Sequence, residues 1–153
     1  MINTAEIWMM SNRQPWPEAL LRGLITCKTR SLAVNLPPVG ATVYLHASKA
    51  LWVGWQNLRW VNTFGIDMAA LDRGGVVGVA TVAAAGLTDD IMPQREMVFF
   101  DVYEGRGSYW NCADGASIQF KDIQRLPFIP CRGAQVPTRK LPPELQMWLV
   151  KHG

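Results

Sequence analysis

The sequence predicts an α+β fold, a small mixed β-barrel with helices attached. About five short segments have the apolar or alternating pattern of strands, and the clearest is residues 76–83, which Gly74 and Gly75 introduce. One helix pattern follows the first strand, and another follows His46. Short strands interrupted by helices in this way point to a small mixed barrel with flanking helices.

Length and composition indicate one globular domain, residues 1–153, with its own core. The 49% hydrophobic and 18% charged residues are ordinary for a domain of this size. No run approaches the roughly 18 apolar residues of a membrane span, and the N-terminus lacks the pattern of a secretion signal, so we expect a cytoplasmic protein without membrane contact. The three cysteines are far apart and form no C-x-x-C pair, which predicts reduced thiols and indicates no metal site or cofactor: Cys27, Cys112 and Cys131.

The first thirty residues predict two strands around a helix. Residues 7–10 are a short apolar run, and the prolines of residues 13–17 impose an extended turn. Pro17 suits the first turn of a helix, and Gly23 is its stop. Residues 25–30 then alternate as a strand does. Two basic side chains of this strand share a face: Lys28 and Arg30.

The middle of the chain predicts a buried strand at residues 41–47. Ser48 is well placed to cap a helix that runs through Leu51, Trp52 and Trp55. The second part of residues 57–71 is also predicted to be helical. Pro93 and the polar residues around it indicate a loop from Leu87 to Arg95.

The C-terminal part predicts a hairpin and a last helix. Its strands are residues 108–112 and residues 116–125, joined by a tight turn. Pro127 and Pro130 restrict φ and remove two backbone donors, so we expect the second strand to end near Leu126. A pair of prolines further on suits the start of a short terminal helix.

The net charge of +3 is unevenly distributed along the chain. Basic residues outnumber acidic ones by four to two in residues 1–30 and by six to two in residues 121–153. Residues 89–120 have the opposite balance, two basic against six acidic. If the two ends meet in space, they form a positive patch suited to phosphate; solvated charge without a partner explains the counts equally well.

In order and spacing, these motifs resemble the ASCH domain over nearly the whole chain. The segments that carry the resemblance are Arg13-Gln14-Pro15-Trp16, Gly23, Arg30, His46-Ala47-Ser48-Lys49, residues 75–80, Tyr109-Trp110 and Pro127-x-x-Pro130-Cys131-Arg132-Gly133. ASCH domains belong to the PUA-like group, so the resemblance implies a PUA-like mixed β-barrel of about five to six strands with flanking helices. It also implies recognition of RNA or of a modified nucleotide in a cleft beside the barrel.

One departure from the family limits what the resemblance implies about catalysis. The family usually has Gly-x-Lys-x-x-Glu-x-Arg here, and this register places Ile25 at the lysine and Lys28 at the glutamate. Relatives that hydrolyse N4-acetylcytidine use that lysine as nucleophile or base. A hydrocarbon side chain neither accepts a proton nor attacks a carbonyl, which disfavours a modified-nucleoside amidohydrolase of this type.

Activity on RNA is described for some members of the family, so the resemblance leaves an RNA-cleaving site open. Such a site needs a group that deprotonates or positions the 2′-hydroxyl and cations that hold the phosphate. The candidates by residue type are His46, Ser48, Lys49 and Tyr109. Residues like the first two are more often a core histidine and a helix cap, without a part in catalysis.

RNA binding asks less of the same residues. Basic side chains are candidates for phosphate contacts: Arg13, Lys28, Arg30, Lys49 and Arg132. Aromatic side chains are candidates for stacking on a base: Trp16, Tyr109 or Trp110. Two amides can donate and accept at a base edge: Gln14 and Asn111. Core packing of the tryptophans and a buried salt bridge of the arginines are the structural alternatives.

The preferred hypothesis is an RNA-binding ASCH module that recognises a single-stranded or modified nucleotide in a basic cleft. The second hypothesis is an enzyme of the same fold that cleaves RNA or hydrolyses a modified nucleoside. The third is a protein-interaction adaptor whose cleft is vestigial. The replacement of the family lysine by Ile25 favours the first and the third.

Overall fold

The computed structural model describes residues 6–30, 35–93, 95–96 and 115–152, and the side chains of Arg30 and Asp89 are not among the described groups. The predicted α+β class is confirmed: a mixed sheet of five strands curls into a half-barrel with helices around it. The strands are β1 (Ile7–Asn12), β2 (Cys27–Arg30), β3 (Thr42–Ala47), β4 (Gly75–Leu87) and β5 (Ala116–Pro130). The helices are α1 (Trp16–Leu21), α2 (Arg59–Thr63), α3 (Thr88–Ile91) and α4 (Pro143–His152), with short 3-10 helices at Trp55–Asn57 and Met68–Ala70. No helix in the described ranges is long and apolar enough to cross a membrane.

The sheet has the strand order β1-β3-β4-β5-β2. Strands β1 and β3 run parallel, and the other neighbouring pairs are antiparallel. In the parallel pair Ser11 lies beside His46, and Asn12 lies beside Ala47. The carboxyl ends of β1 and β3 therefore meet at one edge of the sheet, and the segments that leave these strands are brought together there.

Two hydrophobic clusters hold the half-barrel. The larger one lies between the sheet, α1 and α2, and Trp60 is its largest fully buried side chain. The ring of Trp60 lies 5.5 Å from that of Trp16, between centroids. The smaller cluster joins the sheet to α4 through Leu145, which is fully buried. The apolar faces that the strand and helix patterns predict are thus covered on both sides of the sheet.

Helix α1 has the predicted limits and is tied to β5 by a buried carboxylate. Pro17 lies in its first turn, and Gly23 follows it with φ of +74°. Glu18 accepts hydrogen bonds from Arg22 (2.8 Å) and from both terminal nitrogens of Arg125 (2.9 and 3.0 Å). Burial raises the pKa of Glu18, but the hydrogen bonds and charges of the two arginines outweigh it and hold the pKa below its ordinary value.

The prediction of a helix that starts at Ser48 is wrong. Its backbone is drawn into tertiary hydrogen bonds instead: Ser48 N–H donates to Asn12 O, and Trp52 N–H donates to Gln14 O, both at 2.9 Å. Gly54 then takes a positive φ of +89°, and one 3-10 turn follows at Trp55–Asn57. A donor used by another segment is lost to the i→i−4 ladder, so the local cap signal does not develop into a helix.

The prediction that the strand ends near Leu126 is also wrong, because β5 continues to Pro130. Opposite β4, Ile129 pairs with Val76 and Arg125 pairs with Gly78, so three residues of β5 face the single residue Val77. Pro127 lies in this bulge, where no regular ladder bond requires its missing N–H. The strand therefore continues past Pro127 and ends at Pro130.

Three smaller differences concern element limits. The predicted loop after Leu87 contains the short helix α3, and the strand predicted at residues 25–30 begins at Cys27, which leaves Ile25 before it. The second part of residues 57–71, predicted to be helical, contains only the 3-10 turn at Met68–Ala70, while α2 lies in the first part. The first hairpin strand, predicted at residues 108–112, lies outside the described residues.

Candidate functional site

A cleft of about 1040 Å³ opens at the edge where β1 and β3 end. Its walls come from the residues that follow these two strands, from β2, from the segment after β5 and from the start of α4. Seven of the side chains proposed from the sequence line it: Arg13, Trp16, Lys28, His46, Ser48, Lys49 and Arg132. Topology thus gathers residues that are up to 119 positions apart, as 132 minus 13.

The cleft is electropositive. Four of its side chains are cationic, and three of these are exposed: Arg13, Lys49 and Arg132. Among the described residues of the lining, Glu144 is the one carboxylate. A concave surface with an excess of positive charge concentrates anions, so phosphate or carboxylate groups are the ligands that this cleft favours.

Arg132 is carried by a short segment whose backbone is anchored on both sides. Cys131 N–H donates to Gly74 O at 3.1 Å, and Ala134 N–H donates to Ser11 Oγ at 3.0 Å. The carbonyl of Cys131 accepts a further hydrogen bond from His46 Nε2 at 2.9 Å. These three bonds fix where the exposed guanidinium of Arg132 begins, which lowers the entropy lost when it binds a ligand.

His46 lies under this segment and is 2% exposed. Because a carbonyl only accepts, His46 Nε2 must carry the proton of the bond to Cys131, and the neutral ring then leaves Nδ1 as an acceptor. Nδ1 has no hydrogen-bond partner within the described part of the chain. The histidine predicted as a catalytic candidate therefore positions the segment that carries Arg132.

The stability of the protein is expected to depend on the protonation of His46. Burial lowers its pKa below the ordinary value of about 6.5, and the hydrogen bond to Cys131 offsets part of this. The unfolded chain then binds the proton first, so the contribution is complete above about pH 6.5 and is lost as the pH falls through the folded pKa. Denaturant titrations between about pH 7 and pH 5 should show the free energy of unfolding decreasing with pH.

Two variants separate this effect from other titrations. The chain has two histidines, and the other is the exposed His152 at the end of α4. His152→Gln is expected to keep the pH dependence, whereas His46→Gln is expected to lose most of it. The pKa of Glu18 is held low, so its contribution to stability changes only at lower pH and stays nearly constant between about pH 7 and pH 5. An equal slope in His46→Gln and in the unmodified protein would contradict the assignment.

Lys28 is held over a tryptophan in the cleft wall. Its Nζ lies 4.7 Å from the centroid of the Trp16 ring, within the range of a cation–π contact. Trp16 is 4% exposed, and its other neighbours include Trp60. Strand alternation together with this ring directs the ammonium of Lys28 toward the cleft.

Lys49 and Ser48 line the cleft from a turn rather than from a helix. The stem of Lys49 runs past Gly74, where an added Cβ would lie 3.1 Å from Lys49 Cγ. Arg73 donates to the carbonyl of Lys49 at 2.9 Å, which supports the turn from outside. The position of Lys49 is explained by the packing of its stem against Gly74.

Four predicted residues are not placed in the cleft by the described structure. Gln14 is 1% exposed, and both ends of its amide are hydrogen-bonded: its Nε2 donates to Asp72 O at 3.1 Å, and its Oε1 accepts from Glu18 N–H at 3.1 Å. Its role is structural, which corrects the prediction that it reads a base edge. Arg30 pairs with Ala116 through the backbone of β2, and its side chain is not described. Tyr109 and Asn111, with the neighbouring Trp110, lie outside the described residues.

The two described cysteines are buried thiols whose pKa values are raised. Cys131 lines the cleft, but burial raises its pKa, so its thiol is protonated at neutral pH. Burial and the nearby Glu96 raise the pKa of Cys27 to about 12. Both cysteines are free and buried, as predicted, while Cys112 is outside the described part. The described residues contain no group of three histidine, cysteine or acidic side chains arranged to hold a metal ion.

Sequence reasoning missed Ser11 and Trp52 as residues of the cleft and did not explain why Gly133 is a glycine. Trp52 was assigned to the apolar face of a helix that does not form. Gly133 approaches His46 and Ser11 so closely that an added Cβ would lie 2.6 Å from His46 Cε1 and 2.7 Å from Ser11 Oγ. The sequence motif marked Gly133, but the neighbour that requires it is 87 positions away, as 133 minus 46.

The strand order, the parallel β1–β3 pair and the flanking helices define an α+β half-barrel. The crystal structure of ASCH from Zymomonas mobilis is similar to this chain, with a TM-score of 0.54, 15% identity, and 95% of this chain and 94% of that chain covered. A serine-to-alanine mutant of that protein gives a TM-score of 0.58 at 15% identity, with 98% of both chains covered. Its tyrosine-to-phenylalanine mutant gives 0.58 at 15% identity, with coverage of 96% and 98%.

At this level of identity the likeness shows the fold, and the ASCH resemblance of the motifs is confirmed at the level of the fold. No family model matches the chain, and no curated protein matches it significantly. What the cleft binds therefore has to be argued from its own residues.

Proposed function

We propose that this protein binds RNA, with a single-stranded or modified nucleotide held in the basic cleft beside the half-barrel. The observation that carries the proposal is the set of four cationic side chains around one cleft: Arg13, Lys28, Lys49 and Arg132. They come from four separate segments and face a lining with one described carboxylate. Cations spaced around a concave surface suit successive phosphates of a flexible strand.

Two features of the site favour binding over the catalytic alternatives. Ile25 occupies the position of the family lysine, is fully buried in the core and does not line the cleft, which argues against amide hydrolysis by that residue set. His46 is buried, and its remaining nitrogen Nδ1 is covered by Gly133, so a substrate hydroxyl does not reach it, which weakens its case as a base for RNA cleavage. The proposal includes a cytoplasmic location, because the buried free thiols of Cys27 and Cys131 suit a reducing compartment.

Salt dependence is the direct test of this proposal. For single strands, the logarithm of the binding constant is expected to fall linearly with the logarithm of salt concentration, with a slope of about −0.7 for each phosphate contacted. Fluorescence anisotropy with a short single-stranded RNA over a series of salt concentrations measures this slope. Absence of binding at low salt, or binding that salt leaves unchanged, would refute the phosphate-contact model. Recovery of a protein partner without nucleic acid would instead support the adaptor hypothesis.

Charge-removing variants locate the contacts. Arg132→Gln and Lys49→Gln are each expected to weaken RNA binding about tenfold at low salt. Each is also expected to reduce the dependence of binding on salt by about the contribution of one phosphate contact. The matched controls are Arg59→Gln and Lys151→Gln, which remove the same charges from exposed positions outside the cleft. Equal losses in controls and cleft variants would mean that net charge, rather than this cleft, determines binding.

A further inference from the structure

The cleft contains two tryptophans in different states. Trp16 is 4% exposed, has the ammonium of Lys28 at 4.7 Å from its ring centroid, and packs 5.5 Å from Trp60. A ring in this environment contributes to the wall and to the placement of Lys28, and a base has little of its surface to contact. This departs from the prediction that Trp16 stacks on a base.

Trp52 is half-buried and also lines the cleft. Its ring centroid lies 5.7 Å from that of Trp16 with an interplanar angle of 87°. In an edge-to-face pair, one ring presents its edge, so Trp16 covers at most one of the two faces of Trp52. The part of Trp52 that remains exposed therefore belongs to a flat apolar surface inside an electropositive cleft.

The position of Trp52 is fixed by its surroundings. Its backbone N–H donates to Gln14 O at 2.9 Å, and the side chain of Gln14 is held by Asp72 O and Glu18 N–H. The ring also packs against the main hydrophobic cluster. A platform that is already ordered loses little conformational entropy when a flat ligand settles on it.

We propose that Trp52 is the stacking platform of the cleft, on which one unstacked base of a single-stranded RNA lies while its phosphates contact the surrounding cations. This inference rests on the RNA-binding function proposed above. Lys28 makes a cation–π contact with Trp16, the other ring of the Trp16–Trp52 pair. A cation therefore lies close to the Trp52 platform in the same wall of the cleft. Every base has a π face, so stacking on Trp52 adds affinity without selecting a sequence.

The test compares two ligands of equal charge, a single-stranded RNA of about eight nucleotides and an abasic ribose-phosphate oligomer of the same length. The unmodified protein is expected to bind the RNA more tightly than the abasic oligomer. Trp52→Leu is expected to raise the Kd for RNA about 5- to 150-fold, the range that one lost base–aromatic stack represents, and to leave the Kd for the abasic oligomer unchanged. Trp52→Phe, which keeps an aromatic face, is expected to restore most of the difference.

Trp55→Leu is the matched control, because Trp55 is also half-buried against the same cluster but does not line the cleft. If RNA binds and Trp52→Leu weakens RNA binding no more than Trp55→Leu does, the inference that Trp52 is the stacking platform is wrong, while the proposed function stands. Equal weakening of both ligands by Trp52→Leu would also overturn it, since that pattern reports a distorted wall. If the unmodified protein binds neither ligand, the proposed function fails and this inference fails with it.

Discussion

Replacement of Gly133 by alanine is expected to destabilise the protein by about 1–3 kcal/mol and to weaken RNA binding about tenfold or more. The added Cβ would lie 2.6 Å from His46 Cε1 and 2.7 Å from Ser11 Oγ. Both neighbours hold the same segment, His46 through the Cys131 carbonyl and Ser11 through Ala134 N–H. Relief of the clash must therefore disturb the bonds that position Arg132. Denaturant unfolding and RNA titrations measure the two effects.

Gly86→Ala is the control for this substitution. Gly86 lies in β4, and an added Cβ would meet the side chain of Ile91 at 3.5 Å, an ordinary van der Waals distance. This variant is expected to leave RNA binding unchanged and stability unchanged or slightly higher, because alanine lowers the entropy of the unfolded chain. A Gly133→Ala protein with unaltered stability and binding would show that the segment is not held as the structure indicates.

Replacement of Trp60 by alanine is expected to lower the free energy of unfolding by about 3–5 kcal/mol. Trp60 is fully buried in the main hydrophobic cluster, and its ring packs 5.5 Å from that of Trp16. The loss combines the transfer of a large aromatic side chain with the cavity that remains. Because Trp16 carries Lys28 and contacts Trp52, we also expect weaker RNA binding under conditions where the variant is folded.

Trp55→Ala provides the comparison, since Trp55 is half-buried at the margin of the same cluster. Its expected loss of stability is clearly smaller, because less apolar surface returns to water and solvent fills the space. Chemical denaturation measures the stability lost in each variant. A fitted m-value equal to that of the unmodified protein shows that the substitution has not altered the unfolded state. Equal losses for Trp60→Ala and Trp55→Ala would contradict the burial difference.

Much of the fold follows from local chemistry. Pro17 and Gly23 set the limits of α1, and the alternating or apolar runs place β1, β3 and β4, because these effects act within a few residues. The same local rules fail where a distant partner changes the balance. Ser48 does not cap a helix because Asn12 and Gln14 take part in backbone bonds with its segment. Pro127 does not end β5 because the pairing with β4 accommodates it in a bulge.

The candidate site shows the same division. Residue types and the ASCH resemblance were enough to select Arg13, Lys49 and Arg132, which the fold brings to one cleft. The burial of each candidate side chain could not be predicted from the sequence, because it depends on which segments pack together. Gln14 and Trp52 illustrate this: the polar residue is enclosed, whereas the tryptophan is half-buried in the cleft wall.

The sequence by itself determined the fold class, most strand and helix positions and the chemical character of the site, since these depend on local backbone preferences and residue type. The tertiary structure alone decided that His46 holds the Cys131 carbonyl, that Gly133 must lack a Cβ and that Trp52 lines the cleft. Each of these depends on contacts between segments far apart in the chain. Such contacts arise from strand pairing and packing, which no local pattern encodes.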